Sequence, residues 1–139
     1  MLAAFALAVA DPVPPTPPAA AAVSAAVQVV RDYYGAIGRH DWRTVHAMFA
    51  NGHSVAALRR GYADTRSVTV EPLPPFESDA GMSHVWTDIR VRVTALHRDG
   101  SRHVYAGSYR LTRVNDVDGS TAAQRRWHIT SATLAEVPR

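Results

Sequence analysis

The chain contains no cysteine and no lysine. Without cysteine there is no thiolate nucleophile, no cysteine-ligated metal and no disulfide, and no lipid can be attached through a thiol behind a leader. If the protein is exported, its core alone must hold it together. The lack of lysine leaves arginine as the source of all 15 basic charges, set against 12 acidic ones. An all-arginine basic set is read as the mark of a GC-rich genome rather than of selected guanidinium chemistry. Despite a sequence pI near 9.8, the arginines are scattered. Nucleic-acid binding needs a stripe of like charge on one face, so that partner is not expected. No apolar run is long enough to cross a bilayer as a helix. Phosphate-cradling glycine loops, GxSxG elbows and HxxH or HExxH pairs are all missing. Asn115-Asp116-Val117-Asp118-Gly119 has the look of a calcium loop. However, aligning Gly119 with the invariant glycine puts Val114 at the first ligand position, and no glutamate follows six places on. No metal and no cofactor are expected.

What is present suits one domain of ordinary composition, with 139 residues, 47% of them hydrophobic and 19% charged. Residues 1–10 are apolar and end in Ala8-Val9-Ala10, the small-residue close of a secretory leader. No positive charge precedes them, so they read as a partial signal peptide. Residues 11–20 form a proline-rich linker, with five prolines between Asp11 and Pro18, a composition that favours a semi-rigid extended spacer. The domain proper is assigned to 21–139, and the expected location is periplasmic or secreted.

Helical periodicity opens the domain. Val23, Val27, Val30, Tyr34 and Ile37 recur at steps of four and three, which predicts a helix over 19–37 ended by Gly38. Asp41 suits the N-cap of a second helix with Trp42, Val45 and Phe49 on one face, closed by Asn51-Gly52. Ser54 is placed to cap a third, through about Arg60. The period then changes to two. Val68 and Val70 mark a short strand stopped by Pro72, Pro74 and Pro75. A longer strand alternates Val85, Thr87, Ile89, Val91, Val93 and Ala95 with Trp86, Asp88, Arg90, Arg92 and Thr94. Asp99-Gly100 signals a tight hairpin turn. The return strand spans about Arg102 to Val114, with Tyr105, Tyr109 and Leu111 on one side. A polar loop from Asn115 to Gln124 leads to a last strand over Arg126–Leu134. The expected fold class is α+β: a cone in which N-terminal helices pack on a strongly curved antiparallel sheet.

Read in order, Val29-Val30-Arg31-Asp32-Tyr33-Tyr34, Asp41-Trp42, Met48-Phe49-Ala50, Gly61-Tyr62, Tyr105 to Leu111 and Trp127-His128-Ile129 resemble a nuclear-transport-factor-2-like (SnoaL-like) domain in an exported bacterial member. The resemblance covers roughly Ala22 to Val137. It implies a bent sheet wrapping the first helix, with a pocket at the open end of the cone. Relatives of this fold include isomerases, dehydratases, cyclases, ligand-binding modules and secretion scaffolds, and they often form dimers.

The isomerase branch places a tyrosine on the first helix and a catalytic carboxylate after the second. By gapless comparison the tyrosine falls on Tyr33 and the carboxylate position falls near Ala57, which cannot move a proton. A dehydratase would need a His-Asp pair in the cavity. Asp32 and Asp88 supply carboxylates, but His46 sits beside an apolar face rather than on it, and His97 and His103 flank the hairpin turn in expected contact with water. No catalytic residue is therefore assigned. Tyr33, Tyr62, Tyr105, Tyr109 and Trp127 are the candidates for lining a ligand pocket, and Trp86, Arg90 and Arg92 for a partner surface on the sheet. The expected function is a non-catalytic cell-envelope domain that binds a small apolar ligand or a protein partner and forms a homodimer. The alternative is a SnoaL-like isomerase or dehydratase using a cavity tyrosine with a histidine or aspartate.

Overall fold

A computed structural model describes residues 17–138, with side chains from Val23 onward. The expected leader and the first part of the linker lie outside the described residues. Three helices, α1 (Pro17–Gly38), α2 (Trp42–Met48) and α3 (Val55–Gly61), precede six strands. The strands are β1 (Thr65–Leu73), β2 (Ser78–Ala80), β3 (His84–His97), β4 (Arg102–Val114), β5 (His128–Ala132) and β6 (Ala135–Glu136). All pair antiparallel in one curved sheet of order β1-β3-β4-β5, with β2 on β3 and β6 on β4. The helices cover its concave face. This is the α+β cone that the residue pattern implies.

The caps fall where local chemistry places them. The carboxylate of Asp41 accepts from the amide and hydroxyl of Thr44, and the Ser54 hydroxyl accepts from the amide of Ala57. The end of α1 differs from expectation. Gly38 is not the left-handed residue; His40 is, at φ +57°. Its amide donates to the Ile37 carbonyl, and that of Asp41 reaches back to Ala36, each at 3.0 Å. This double closure is the Schellman pattern, whose left-handed position glycine usually fills. Two strand expectations also change. Pro72 does not stop β1 but pairs with Val91 inside it; an edge strand has no ladder on its other side, so a missing amide is tolerated. The single last strand is broken at Thr133-Leu134 into β5 and β6. There the Thr133 carbonyl occupies the space that a Cβ on Gly107 would need.

Alternation along β3 decides what faces the helices. Val85, Thr87, Ile89, Val91, Val93 and Ala95 are buried, and Tyr109, Leu111, Trp127 and Ile129 join them from the neighbouring strands. From α1 the buried stripe is Val23, Val27, Val30, Tyr34 and Ile37, with Ala26, Tyr33 and Ala36 beside it. Ile89 and Leu111 are fully enclosed. Removing such large side chains from water supplies about 25 cal/mol per Å².

Candidate functional site

A cavity of about 350 Å³ opens where the tip of the β3–β4 hairpin approaches the end of α3. Tyr34 comes to it from α1, Gly61 and Tyr62 from the α3 terminus, and Thr65 and Val68 from β1. Val93, Ala95 and His97 on β3, Tyr105 on β4 and Leu134 complete the wall. Among the described residues, neither an aspartate nor a glutamate lines it.

Behind the wall sits a stack of buried phenols. The Tyr34 and Tyr109 hydroxyls are 2.6 Å apart. Tyr33 meets Tyr34 edge-on at 5.4 Å between ring centres and lies 5.8 Å from Tyr109. Consecutive helical residues point about 100° apart, so Tyr33 is buried only because a second element reaches it; Phe49, just past α2, closes that side. Burial, more than any neighbour, pushes the phenols of Tyr33, Tyr34, Tyr62 and Tyr109 upward in pKa. At neutral pH they are protonated hydrogen-bond donors, not bases.

The pocket candidates thus separate. Tyr62 and Tyr105 line the cavity. Tyr33 and Tyr109 lie in the core behind it, packed on other aromatic rings. Trp127 is buried under the Arg113 guanidinium, 5.3 Å above the ring, away from the cavity wall. Sequence reasoning left out Tyr34 and His97. Tyr34 belonged to the α1 stripe, and His97 continues the buried alternation of β3 by one more step.

His97 and His103 overturn the expectation that they are solvated. Both are half-buried, and their rings stack 4.0 Å apart. His103 places Nδ1 2.7 Å from the Glu136 carboxylate and Nε2 3.0 Å from the Ser101 hydroxyl. Among the described residues, the imidazole of His97 is the one titratable group besides the phenols in the cavity wall. The remaining dehydratase candidates are elsewhere. Asp32 is exposed and accepts from Gln28, Asp88 is on the opposite face of the sheet, and Nδ1 of His46 donates to the His53 carbonyl at 3.1 Å. Ala57 is not in the cavity wall but borders a separate hollow of about 520 Å³ with His53, Arg60 and Tyr62. Among the described residues no group of three or more histidines, aspartates and glutamates could hold a metal ion, and no helix is long and apolar enough to cross a membrane.

Trp86, Arg90 and Arg92 share the convex sheet face, bordering or near a groove of about 450 Å³. Arg110 grips Asp88 across the strands through two hydrogen bonds of 2.8 and 2.9 Å, which holds the Asp88 carboxyl below its ordinary pKa. The Arg90 guanidinium donates to the Pro74 carbonyl, and Arg92 is exposed opposite Glu71. With Glu77 and Asp79 on its rim, the groove mixes both signs of charge.

Helices of this order on a sheet of this topology, hollow at the open end, define the nuclear-transport-factor-2-like fold. Solved structures share it, among them the two that follow. One is described as a putative scytalone dehydratase from Novosphingobium aromaticivorans DSM 12444, with a TM-score of 0.61 over 86% of each chain at 13% identity. The other is a nuclear transport factor 2-like superfamily protein from Salmonella enterica serovar Typhimurium LT2, with a TM-score of 0.54 at 12% identity. That match covers 86% of this chain and 94% of the other. No family model matches the sequence, and no curated protein matches it. At such identities the likeness is one of fold, and a fold of this kind hosts unrelated functions.

Proposed function

We propose that the domain is a non-catalytic binding module that takes a small apolar ligand carrying a hydrogen-bond acceptor into the cavity between Tyr34, Tyr62 and Tyr105. The observation that carries this reading is the make-up of the wall: apolar side chains and phenols with Thr65 and one imidazole, and no carboxylate among the described residues to move a proton. A buried phenol donates to a carbonyl or ether oxygen while its ring covers the ligand's apolar body. The test uses 2-acetylnaphthalene, a flat ketone, in calorimetric titration of the whole chain. Saturable binding is expected, and Ala95→Leu, which grows into the cavity, should weaken it about tenfold or more. Absence of saturable binding, or indifference to Ala95→Leu, would sink the reading.

A second reading, a SnoaL-like isomerase or dehydratase, is favoured by one observation: His97 shares the cavity wall with Tyr34. An imidazole beside a phenol donor is the minimum for enolising a ketone. The same ketone in deuterated buffer separates the two. Deuterium entering its methyl group faster than in buffer, and lost in His97→Gln, favours the enzyme; binding without exchange favours the module.

The reading extends to location and assembly. Ala8-Val9-Ala10 and the proline-rich spacer support export to the periplasm or medium, checked by sequencing the mature N-terminus. The mixed-charge convex face with Trp86, Arg90 and Arg92 supports a protein contact there, a second copy included. Sedimentation of wild type against Trp86→Ala tests it: loss of a dimer is the expected result.

A further inference from the structure

A second hollow adjoins the cavity. It measures about 360 Å³ and is walled by His40, Thr65, Arg66 and Arg98. Among the described residues, three of these four are basic and no acidic one lines the hollow. Neither guanidinium has an ion-pair or hydrogen-bond partner among the described residues. That contrasts with Arg110 and Arg125, which bind carboxylates, and with Arg90, which binds a carbonyl. The acids nearest in sequence do not line the hollow. The amide and hydroxyl of Ser101 occupy Asp99, and Asp64 lies outside the wall.

His40 is built into place. It occupies a left-handed backbone position that glycine would take without strain, and its ring stacks on Trp42 at 5.3 Å with 14° between planes. Trp42 in turn stacks on Tyr62 at 5.5 Å, and Tyr62 lines the cavity. The two spaces meet at Thr65, which lines both, and along the chain at His97-Arg98, where His97 faces the cavity and Arg98 the hollow. A narrow gap of about 10 Å³ lies between them, sharing His40, Thr65 and Arg66 with the hollow and Tyr62, Thr65 and Val68 with the cavity.

We propose that the hollow is an anion subsite and that the ligand of this domain is an amphipathic acid. Its carboxylate or phosphate head sits among His40, Arg66 and Arg98, and its apolar body lies over the tyrosines. Planar guanidinium groups suit such oxygens because they donate two parallel hydrogen bonds. The inference rests on the cavity being the ligand site and adds to it the chemical class of the ligand.

The experiment compares 2-naphthoate and 2-naphthyl phosphate with the neutral 2-acetylnaphthalene, on wild type, Arg66→Gln/Arg98→Gln and His40→Asn. These substitutions are at exposed positions and asparagine tolerates the left-handed backbone, so thermal melts close to wild type are expected. In wild type the acids should bind more tightly than the ketone, the more so at low salt. The double variant should lose about tenfold or more for the acids and less than about twofold for the ketone, with His40→Asn between. Unchanged acid affinity in the double variant, or a wild type that binds the ketone but not the acids, overturns the anion subsite and leaves the cavity reading intact. Failure of all three probes on wild type overturns both. Arginine-dependent binding to anionic vesicles, with neither acid bound free in solution, also overturns the subsite, in favour of a membrane surface.

Discussion

The hydroxyl oxygens of Tyr34 and Tyr109 lie 2.6 Å apart, and a single proton fills that contact. One phenol donates and the other keeps a proton with no acceptor among the described residues. Tyr109 is sealed in the core, whereas Tyr34 borders the cavity. Either hydroxyl can be the donor in this contact. Because an unsatisfied buried donor costs about 1–3 kcal/mol, donation from Tyr109, which leaves the proton of Tyr34 to the cavity that Tyr34 lines, is the arrangement we put to the test.

The two phenylalanine variants should therefore differ. Tyr34→Phe leaves the Tyr109 proton buried without a partner and should cost roughly 1–3 kcal/mol; Tyr109→Phe removes an ordinary hydrogen bond, about 1 kcal/mol. Only Tyr34→Phe should also weaken ketone binding. Urea denaturation and titration of both variants check the order; a larger loss in Tyr109→Phe would mean that the proton runs the other way, and equal losses would show that neither direction is favoured.

Alkali should unfold the domain in a single step with tyrosine ionisation. The folded pKa values of Tyr33, Tyr34, Tyr62 and Tyr109 are raised by burial, against about 10 in the unfolded chain. The folded state thus holds more protons above that pH. The associated stability is fully present below about pH 10 and lost as pH rises beyond it. Tyrosinate absorbance from the buried phenols should appear together with loss of the circular dichroism signal; appearance well before unfolding would mean that these rings reach water.

Gly107→Ala should be among the most damaging small substitutions. A methyl group there would collide with the Thr133 carbonyl, which the backbone holds through the bond from the Thr133 amide to the Ser108 carbonyl. Overpacking against backbone should cost roughly 2–3 kcal/mol. Thermal melts of Gly107→Ala beside Gly61→Ala, where a Cβ meets nothing within 4 Å, give the comparison.

His40→Gly should be nearly neutral for folding, with a change below about 1 kcal/mol. Relief of the left-handed strain, about 1 kcal/mol, offsets the loss of the ring stack on Trp42, which is worth about the same. A melt that falls far below wild type would show that the stack, rather than the backbone, dominates.

Much of the fold was legible because it rests on short-range rules. Periods of four-three and of two marked α1 and β3, side-chain oxygens at Asp41 and Ser54 marked caps, and Asp99-Gly100 marked the hairpin, where Gly100 has φ +87°. β2 escaped notice: Ser78-Asp79-Ala80 has no apolar alternation and is a strand only because Thr87, Trp86 and Val85 pair with it. The break at Thr133-Leu134 was equally hidden, since it answers the missing side chain of Gly107 on another strand.

The site divides along the same line. By itself the sequence determined the supply of chemistry: aromatic rings in quantity, no thiol, no amine base, and no carboxylate at the isomerase position near Ala57. Only the tertiary structure decided which tyrosines face open space and which are sealed. That depends on where α1 meets the hairpin tip, a contact between residues some sixty positions apart that no local pattern encodes. Tertiary packing also brought His40 from the turn after α1, Arg66 from the start of β1 and Arg98 from the β3–β4 turn to one hollow, which turned scattered arginines into a local positive site.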